Sequence, residues 1–290
     1  MESFMRDLPQ PTFALAELRM PPRRLMPTRQ AVLPIVPDSI PAPAPVPQAA
    51  MTAAWATTPQ HVEQAQRLRH QVFVGEMGAR LNNIPGTPPG LDRDIFDAHC
   101  EHLLVRSSTG DVIGTYRVMT PTAARRMGGW YSETEFDFTR LRHHTATMAE
   151  LGRSCVHADH RNGGVIMTLW AALGDFMRRN QLDTMVGCAS ISMRDGGHVA
   201  ASVWEQLRQT HLAPIEHHVQ PRLPLPVDEL NKRLQVETPA LIKGYLRCGA
   251  KVLGPPAWDP DFNTADLPMM LRLCDLPSRY QRHFMGAATA

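Results

Sequence analysis

Length, composition and charge exclude several classes of protein. The chain of 290 residues carries 30 Lys+Arg against 28 Asp+Glu, and its formal net charge of +2 does not indicate a nucleic-acid-binding protein. The five cysteines form no CxxC pair, which is typical of a reducing compartment and not of a disulfide framework. No apolar run approaches the roughly 20 residues that span a bilayer, and no secretion signal is evident. The sequence therefore predicts a cytoplasmic protein with one large domain or two small ones.

The first 50 residues differ in composition from the rest. Residues 1–50 contain eleven prolines, including the run Ala-Pro-Ala-Pro-Val-Pro. Because proline fixes φ and lacks an N–H donor, we predict a disordered, Pro-rich arm here and a folded domain over 51–290. Apolar residues and arginines are interleaved in the arm, which leaves peripheral contact with the inner membrane open as an alternative to an inert tail.

Helical and strand patterns follow in turn along the folded part. Thr58 and Pro59 predict a helix start, with the threonine as cap and the proline in the first turn. The next elements that we predict are a loop over 81–96, a β-hairpin with strands over 100–106 and 112–119, and a helix over 121–127.

The stretch 150–180 is the segment around which the chain is organised. The alternating run Leu151–Val156 predicts a strand, a Gly-bearing turn follows over 157–164, and apolar residues at every fourth position over 165–177 predict a helix. Such a turn aims backbone N–H groups and the positive end of a helix dipole at one point, where anions bind. A plain β–α connection is the alternative. The candidate anion-binding residues are Arg161, Asn162, Gly163 and Gly164.

The remaining elements complete the fold prediction. They are a strand over 184–191, helices over 198–207 and 239–248, and strands over 251–253 and 267–273. Together the elements predict an α/β (α+β) sandwich, with antiparallel strands in its first half and a parallel pair around the organising stretch.

A second set of candidates is mostly charged and comes from separate parts of the chain. Its members are Arg69, Phe73, Asp94, Asp97, Arg117, Glu150 and Arg153. Strand alternation predicts that Glu150 and Ser154 lie on one face of their strand and Arg153 on the other. Charged residues in a central strand are costly when they are buried unpaired, so the set indicates a functional site. Structural salt bridges are the alternative.

Histidines form another candidate cluster. His99 and His102, His157 and His160, and the adjacent His143 and His144 are the close pairs. A zinc site needs further ligands at suitable spacing, and nothing in the sequence selects them, so we predict no metal. The sequence also lacks a G-x-S-x-G nucleophile motif and a Gly-Lys-Ser/Thr phosphate loop.

Seven blocks of the sequence resemble a known family. They are RLRHQVFVGEMGARL (67–81), FDAHCEHLLV (96–105), GTYRVMTP (114–121), YSETEFDF (131–138), ELGRSCVH (150–157), DPDFNTADLPMML (259–271) and RYQRHF (279–284). They are similar to blocks of the bacterial L-ornithine Nα-acyltransferases, and the resemblance covers 52–286. The charged set also resembles that of the acyl-homoserine-lactone synthases. Both groups belong to the GNAT acyltransferase superfamily.

The resemblance implies a fold and a reaction. The fold is GNAT-like, with a mixed central sheet, helices on both faces and a splayed central pair of strands where the donor's pantetheine arm enters. The reaction transfers a 3-hydroxyacyl group from acyl carrier protein to the α-amino group of L-ornithine and gives lyso-ornithine lipid, the first step of ornithine-lipid biosynthesis. No bound cofactor is implied, because 4′-phosphopantetheine arrives on the carrier protein. The 161–164 turn is one residue shorter than the usual superfamily loop, which favours the carrier protein over coenzyme A as donor.

The resemblance also gives roles to the charged set. Glu150 is the implied catalytic base, and N–H groups of its strand around Arg153 are the implied oxyanion donors. Asp94 and Asp97 are expected to bind ornithine's ammonium groups, and Arg117 its carboxylate. The other implied site residues are Arg69 and Phe73 for the substrate, and Arg161, Asn162, Gly163 and Gly164 for the donor phosphate.

Two other functions remain open. An autoinducer synthase of the acyl-homoserine-lactone type would share the fold and the acyl donor but use S-adenosylmethionine. A non-catalytic, membrane-associated, hemolysin-like protein would need an amphipathic or spanning segment. The partners expected of the favoured enzyme are acyl carrier protein and L-ornithine, without nucleic acid. The arginines suited to docking an acidic carrier protein are Arg67, Arg125, Arg126, Arg178 and Arg179.

Overall fold

The computed structural model describes residues 51–278, 280 and 281. The arm predicted over 1–50 lies outside these residues. Every helix within the described ranges is too short or too polar to cross a bilayer.

A mixed sheet forms the centre of the fold. The strands in chain order are β1 (Thr52–Trp55), β2 (Glu101–Arg106), β3 (Val112–Met119), β4 (Phe136–Asp137), β5 (Met148–Val156), β6 (Thr184–Ser192), β7 (Gln220–Pro221), β8 (Lys251–Val252), β9 (Ala257–Asp259) and β10 (Thr264–Arg272). The main sheet has eight strands in the order β1-β2-β3-β5-β6-β10-β8, and β9 also pairs with β10. Only β5 and β6 run parallel among these pairs. β4 and β7 form a separate two-stranded sheet.

Five α-helices accompany the strands within the described residues. They are α1 (Pro59–His70), α2 (Pro121–Met127), α3 (Gly164–Arg179), α4 (His198–Thr210) and α5 (Ala240–Arg247). α1 and α2 begin alike: the Thr58 and Thr120 side chains accept the N–H groups of His61 and Ala123, and a proline follows each threonine. Proline fits the first turn because its missing N–H would have no partner within the helix. The start predicted at Thr58 and Pro59 is confirmed.

Helices cover both faces of the sheet. α3 packs on one face, where α4 and α5 also lie beside β6 and β10. α1 and α2 pack on the other face. The buried residues of α3 are those at the predicted spacing: Val165, Leu169, Leu173 and Met177, together with Gly174. Each large apolar side chain buried in this way contributes about 1.5–3 kcal/mol.

The predicted mixed sheet with helices on both faces is confirmed, and so are the central strand, turn and helix. β1 was not predicted, since its four residues carry no alternating pattern. The last strand begins at Thr264 and not at 267, because the polar residues Thr264 and Asp266 also pair with β6. This extension brings a buried carboxylate into the sheet.

Candidate active site

A pocket opens where the two parallel strands separate. β5 and β6 are paired from Met148 to Glu150 and from Thr184 to Val186. The next residue, Gly187, lies so close to β5 that a Cβ on it would come within 2.3 Å of the carbonyl oxygen of Leu151. Past this point the pairing ends, and a cavity of about 250 Å³ lies between residues of β3, β5, β6 and the 131–135 turn. The splayed pair of strands expected from the resemblance is therefore present.

Glu150, the predicted base, is buried against this pocket. One carboxylate oxygen accepts the Ser132 N–H at 2.6 Å and also the Ser132 hydroxyl, and the other accepts the Tyr131 N–H at 2.7 Å. Both donors belong to one 3₁₀ turn, Tyr131–Thr134, which fixes the carboxylate. Burial raises the pKa of Glu150 although these hydrogen bonds oppose the shift. A carboxylate with a raised pKa is a stronger base toward an amine proton.

A β-bulge at Arg153 changes which side chains face the pocket. Arg153 has a φ of 50°, and the register between β3 and β5 slips so that Arg153 and Ser154 together oppose Tyr116. Cys155 consequently packs against α1 on the face of Glu150, whereas Ser154 lies beside Tyr116 on the α3 face. The predicted alternation is therefore wrong, because the extra residue reverses it and brings Arg153 to the side of Glu150.

Three arginines and three aspartates form a closed ring of ion pairs beside the pocket. Arginines and aspartates alternate around this arginine–aspartate ring in the order Arg69, Asp92, Arg153, Asp94, Arg117 and Asp97, and back to Arg69. The nitrogen–oxygen distances run from 2.6 to 3.5 Å. The ring joins α1, the 92–97 segment, β3 and β5, so it ties distant parts of the chain together. Sequence reasoning selected five of its members and missed Asp92.

The ring leaves little of its charge free. Arg69 is fully buried, and Asp97 and Arg117 are nearly so. Burial alone would raise the pKa of Asp97, but the attraction of Arg69 and Arg117 outweighs burial and holds that pKa well below its usual value. Asp94 and Asp97 as ammonium ligands, Arg117 as the carboxylate ligand and Arg69 as a substrate residue remain predictions. Each of these groups is already bonded to partners within the ring.

Aromatic side chains hold Arg153 against the pocket. Its guanidinium carbon lies 4.6 Å from the ring centroid of Phe262 and 5.1 Å from that of Tyr131. Phe73, a predicted substrate residue, packs edge-on against Phe262 with 5.6 Å between centroids and lines the same cavity. The Nε of Arg153 is 3.5 Å from Asp92 and makes no hydrogen bond in the described part of the chain. A guanidinium in this position can receive a substrate carboxylate.

The predicted donor-phosphate residues lie together at the N-terminus of α3. Gly163 has a φ of 90° directly before the helix, and the Asn162 side chain accepts the Gly164 N–H at 3.0 Å. Arg161 is bonded to Glu76 at 2.6 Å on the exposed surface. Since a surface ion pair contributes at most about 1 kcal/mol, a phosphate can compete for Arg161. The phosphate-binding role of these four residues stays a prediction.

Three carboxylates that sequence reasoning missed line another part of the pocket. Glu135, Asp259 and Asp266 each place an oxygen within 4.8 Å of the others, and we call them the acid trio. Burial raises the pKa of Glu135, and repulsion from Asp266 and Asp259 adds to the shift. Burial likewise raises the pKa of Asp266. The only signal for the trio was its place in the blocks YSETEFDF and DPDFNTADLPMML, because no spacing relates its members.

An apolar cavity adjoins the pocket through the gap between β5 and β6. Its lining includes Trp170 and Leu173 of α3 and Met269 of β10. The residues that it shares with the pocket are Tyr116, Leu151, Cys188, Ala189 and Tyr245. The polar pocket on one face of the sheet thus continues into an apolar space on the other.

The histidine pairs fall outside the pocket. The rings of His157 and His160 lie 5.8 Å apart near the start of α3. His143 and His144 meet His217, and the Nε2 atoms of His144 and His217 are 3.0 Å apart. Three imidazoles in this arrangement could ligate a metal ion, but none of them lines the pocket.

Three comparisons with known proteins bear on this site. The model of the acetyltransferase (GNAT) domain family matches residues 68–171. An L-ornithine Nα-acyltransferase of Agrobacterium fabrum is 33% identical over 79% of this chain and 83% of its own length, and one of Brucella abortus is 32% identical over 78% of this chain and 86% of its own. The acyl-homoserine-lactone synthase LasI shares the fold, with a TM-score of 0.50 at 15% identity over 83% of this chain and 98% of that one. The chain is therefore an acyltransferase with a GNAT domain, and it belongs to the family of the L-ornithine Nα-acyltransferases.

Proposed function

We propose that this enzyme transfers a 3-hydroxyacyl group from acyl carrier protein to the α-amino group of L-ornithine and so forms lyso-ornithine lipid. The observation that carries the proposal is the buried Glu150 carboxylate, fixed by Tyr131 and Ser132 where β5 and β6 separate. A donor whose pantetheine arm enters between these strands would bring its thioester next to this base. The names of the relatives point to the same acceptor.

Acyl transfer to an amine needs no covalent enzyme intermediate. The neutral α-nitrogen attacks the thioester carbonyl carbon, the C–N bond forms, and the C–S bond breaks as the departing sulfur takes up a proton. Glu150 accepts the proton that the nitrogen loses, directly or through a water molecule. Backbone N–H groups of β5 around Arg153 are the proposed donors to the oxyanion, because β5 is not paired with β6 past Glu150.

The carrier-protein donor is held by three regions in this proposal. The turn over 161–164 receives the single phosphate of the pantetheine arm at the start of α3. The acyl chain occupies the apolar cavity beyond the strand gap, against side chains such as Trp170 and Met269. The acidic carrier protein docks on exposed arginines. Those predicted for docking, Arg67, Arg125, Arg126, Arg178 and Arg179, are all exposed.

Product mass tests the reaction and the acceptor together. Purified protein is incubated with 3-hydroxyacyl carrier protein and a mixture of amino acids that includes L-ornithine, and the products are analysed by mass spectrometry with fragmentation. The proposal predicts an amide of ornithine acylated on the α-nitrogen. A lactone formed from added S-adenosylmethionine would assign the protein to the autoinducer synthases instead. The absence of any acyl product would refute the proposed function.

The Glu150→Gln variant tests the base. The amide preserves the size of the side chain but cannot take up the proton, so we expect kcat to fall by about 10²–10⁴-fold while the protein stays folded. Glu101→Gln, an exposed carboxylate on β2, is the matched control and should leave kcat unchanged. Full activity of Glu150→Gln would exclude Glu150 as the base.

A further inference from the structure

The acid trio differs from the arginine–aspartate ring, because no described basic side chain balances its charge. Lysine, arginine and histidine within the described ranges form no ion pair with Glu135, Asp259 or Asp266. The sheet register brings the three together: Asp266 pairs with Ser190 of β6, and Asp259 lies on β9, the next strand. Glu135 approaches from the end of the turn that holds Glu150.

Two oxygens of the trio are buried without a partner. Asp266 is only 5% exposed, and its Oδ1 makes no hydrogen bond within the described part of the chain. The same holds for Oε2 of Glu135. Buried polar atoms are nearly always hydrogen-bonded, and an unpaired buried carboxylate opposes folding. Two such oxygens in one cluster of carboxylates that lines a pocket indicate that a cationic ligand completes the site.

The surroundings favour an alkylammonium ion over a metal. An ammonium group carries three N–H donors, which three carboxylates can accept. Mg²⁺ takes six oxygen ligands and Ca²⁺ six to eight. The pocket wall beside the trio includes Tyr131, Cys188, Ser190 and Phe262, of which only the tyrosine and the serine carry a side-chain oxygen. One oxygen of Asp259 also already accepts backbone N–H groups, at 2.8 and 3.0 Å.

The trio and Glu150 both lie near Cys188 in the same pocket. The Ser132 hydroxyl donates to Glu150 and lies 3.4 Å from the sulfur of Cys188. Glu135 and Asp266 act electrostatically on the same thiol. An acceptor with one nitrogen at Glu150 and its other end at the trio would therefore occupy this one pocket.

We infer that the acid trio holds the side-chain ammonium of the acceptor amino acid, the δ-ammonium of L-ornithine, while Glu150 takes the proton from the α-nitrogen. This inference rests on the proposed function and adds the residues that select a diamino acid. It also explains which nitrogen is acylated. A nitrogen held among carboxylates stays protonated and has no lone pair with which to attack the thioester, so only the α-nitrogen reacts.

The test compares L-ornithine with L-norvaline, which has the same carbon chain but no δ-nitrogen. For the wild-type enzyme we expect kcat/KM to be at least about tenfold higher with L-ornithine, because a hydrogen bond to a charged group is lost with L-norvaline. In Asp266→Asn and Glu135→Gln this preference should collapse, with KM for L-ornithine rising and activity on L-norvaline retained. Asp137→Asn, an exposed carboxylate on β4, is the control and should keep the preference.

The outcomes separate this inference from the proposed function. If the wild type acylates L-ornithine and both variants keep the full preference over L-norvaline, the inference is wrong while the proposed function stands. If no amino acid is acylated, the proposed function itself fails. If bound Mg²⁺ or Ca²⁺ is required for activity and is lost in Asp266→Asn, the trio is a metal site and the inference is overturned. Unfolding midpoints of the variants at or above that of the wild type would show that a lost preference does not come from misfolding.

Discussion

Two charged clusters border the same pocket, and they are built in opposite ways. In the arginine–aspartate ring every arginine contacts two aspartates, and every aspartate contacts two arginines. In the acid trio the carboxylates face one another, and two of their oxygens are buried without a partner. The pKa values shift accordingly, since those of Asp94 and Asp97 are lowered and those of Glu135 and Asp266 are raised.

The ring residues therefore stabilise the fold, whereas the trio residues are arranged to bind a cationic ligand. The arginines and aspartates of the ring neutralise one another. The ring therefore makes the fold more rigid and offers little charge to a substrate. Without a bound cation the repulsion within the trio destabilises the folded protein. Ionisable groups in such unfavourable surroundings are typical of a functional site. We therefore expect substitutions in the ring to reduce stability first, and substitutions in the trio to reduce acceptor binding first.

The largest expected effect is on stability, in the ring variant Arg69→Met. It leaves Asp92 and Asp97 buried without their arginine, so we expect a loss of about 3–5 kcal/mol in the free energy of unfolding. Urea denaturation measures this loss. Arg67→Met, which removes an exposed pair with Glu63, should cost about 1 kcal/mol or less. Equal losses in the two variants would contradict the structural role of the ring.

The same Asp→Asn substitution, made once in the ring and once in the trio, compares the two clusters directly. Asp97→Asn removes a paired charge and should lower the free energy of unfolding by about 3 kcal/mol. Asp266→Asn removes an unpaired buried charge and should raise it by about 1 kcal/mol in the absence of ornithine. Denaturant unfolding at neutral pH shows whether each variant has a lower or a higher free energy of unfolding than the wild type. If both variants lose stability to the same degree, the two clusters do not differ as proposed.

The pH dependence of stability provides a smaller, independent test. The pKa of Glu135 is raised from an ordinary value of 4.5 to about 9, chiefly by burial and then by repulsion from Asp266 and Asp259. Between these two values the folded protein holds a proton that the unfolded chain has lost, so stability falls as the pH rises. Thermal unfolding from pH 6 to pH 9 should show this fall in the wild type and a weaker one in Glu135→Gln. An unchanged pH profile in the variant would exclude this assignment.

The smallest expected effect on stability is that of Arg161→Ala. Its pair with Glu76 is exposed, so the free energy of unfolding should change by about 1 kcal/mol or less. If the turn binds the donor phosphate, KM for the acyl carrier donor should nevertheless rise several-fold, because a charge-assisted hydrogen bond is lost. Steady-state kinetics with varied donor measures this rise, and an unchanged KM would remove Arg161 from the donor site.

The sequence predicted those parts of the fold and the site that depend on local pattern. The strand, turn and helix over 151–177, the caps at Thr58 and Pro59, and the closeness of Arg69, Asp97 and Arg117 to one another all follow from periodicity, capping chemistry or family blocks. For the strand, the helix and the caps, neighbouring residues carry the whole signal.

The features that escaped prediction depend on register between distant strands. The bulge at Arg153 requires a positive φ in a residue that rarely adopts one, and it reverses the faces of everything after it in β5. The acid trio joins Glu135 to residues more than a hundred positions later, and the pairing of β10 with β9 brings Asp259 and Asp266 to the same part of the sheet. Single-sequence patterns do not encode such pairings.

The most direct test of the account is a crystal structure of the enzyme with L-ornithine bound. We predict the δ-nitrogen within about 2.7–3.2 Å of oxygens of Glu135, Asp259 and Asp266, and the α-nitrogen on the side of Glu150. Ornithine bound with its side-chain nitrogen at Asp94 or Asp97, or a metal ion among the three carboxylates, would contradict the account.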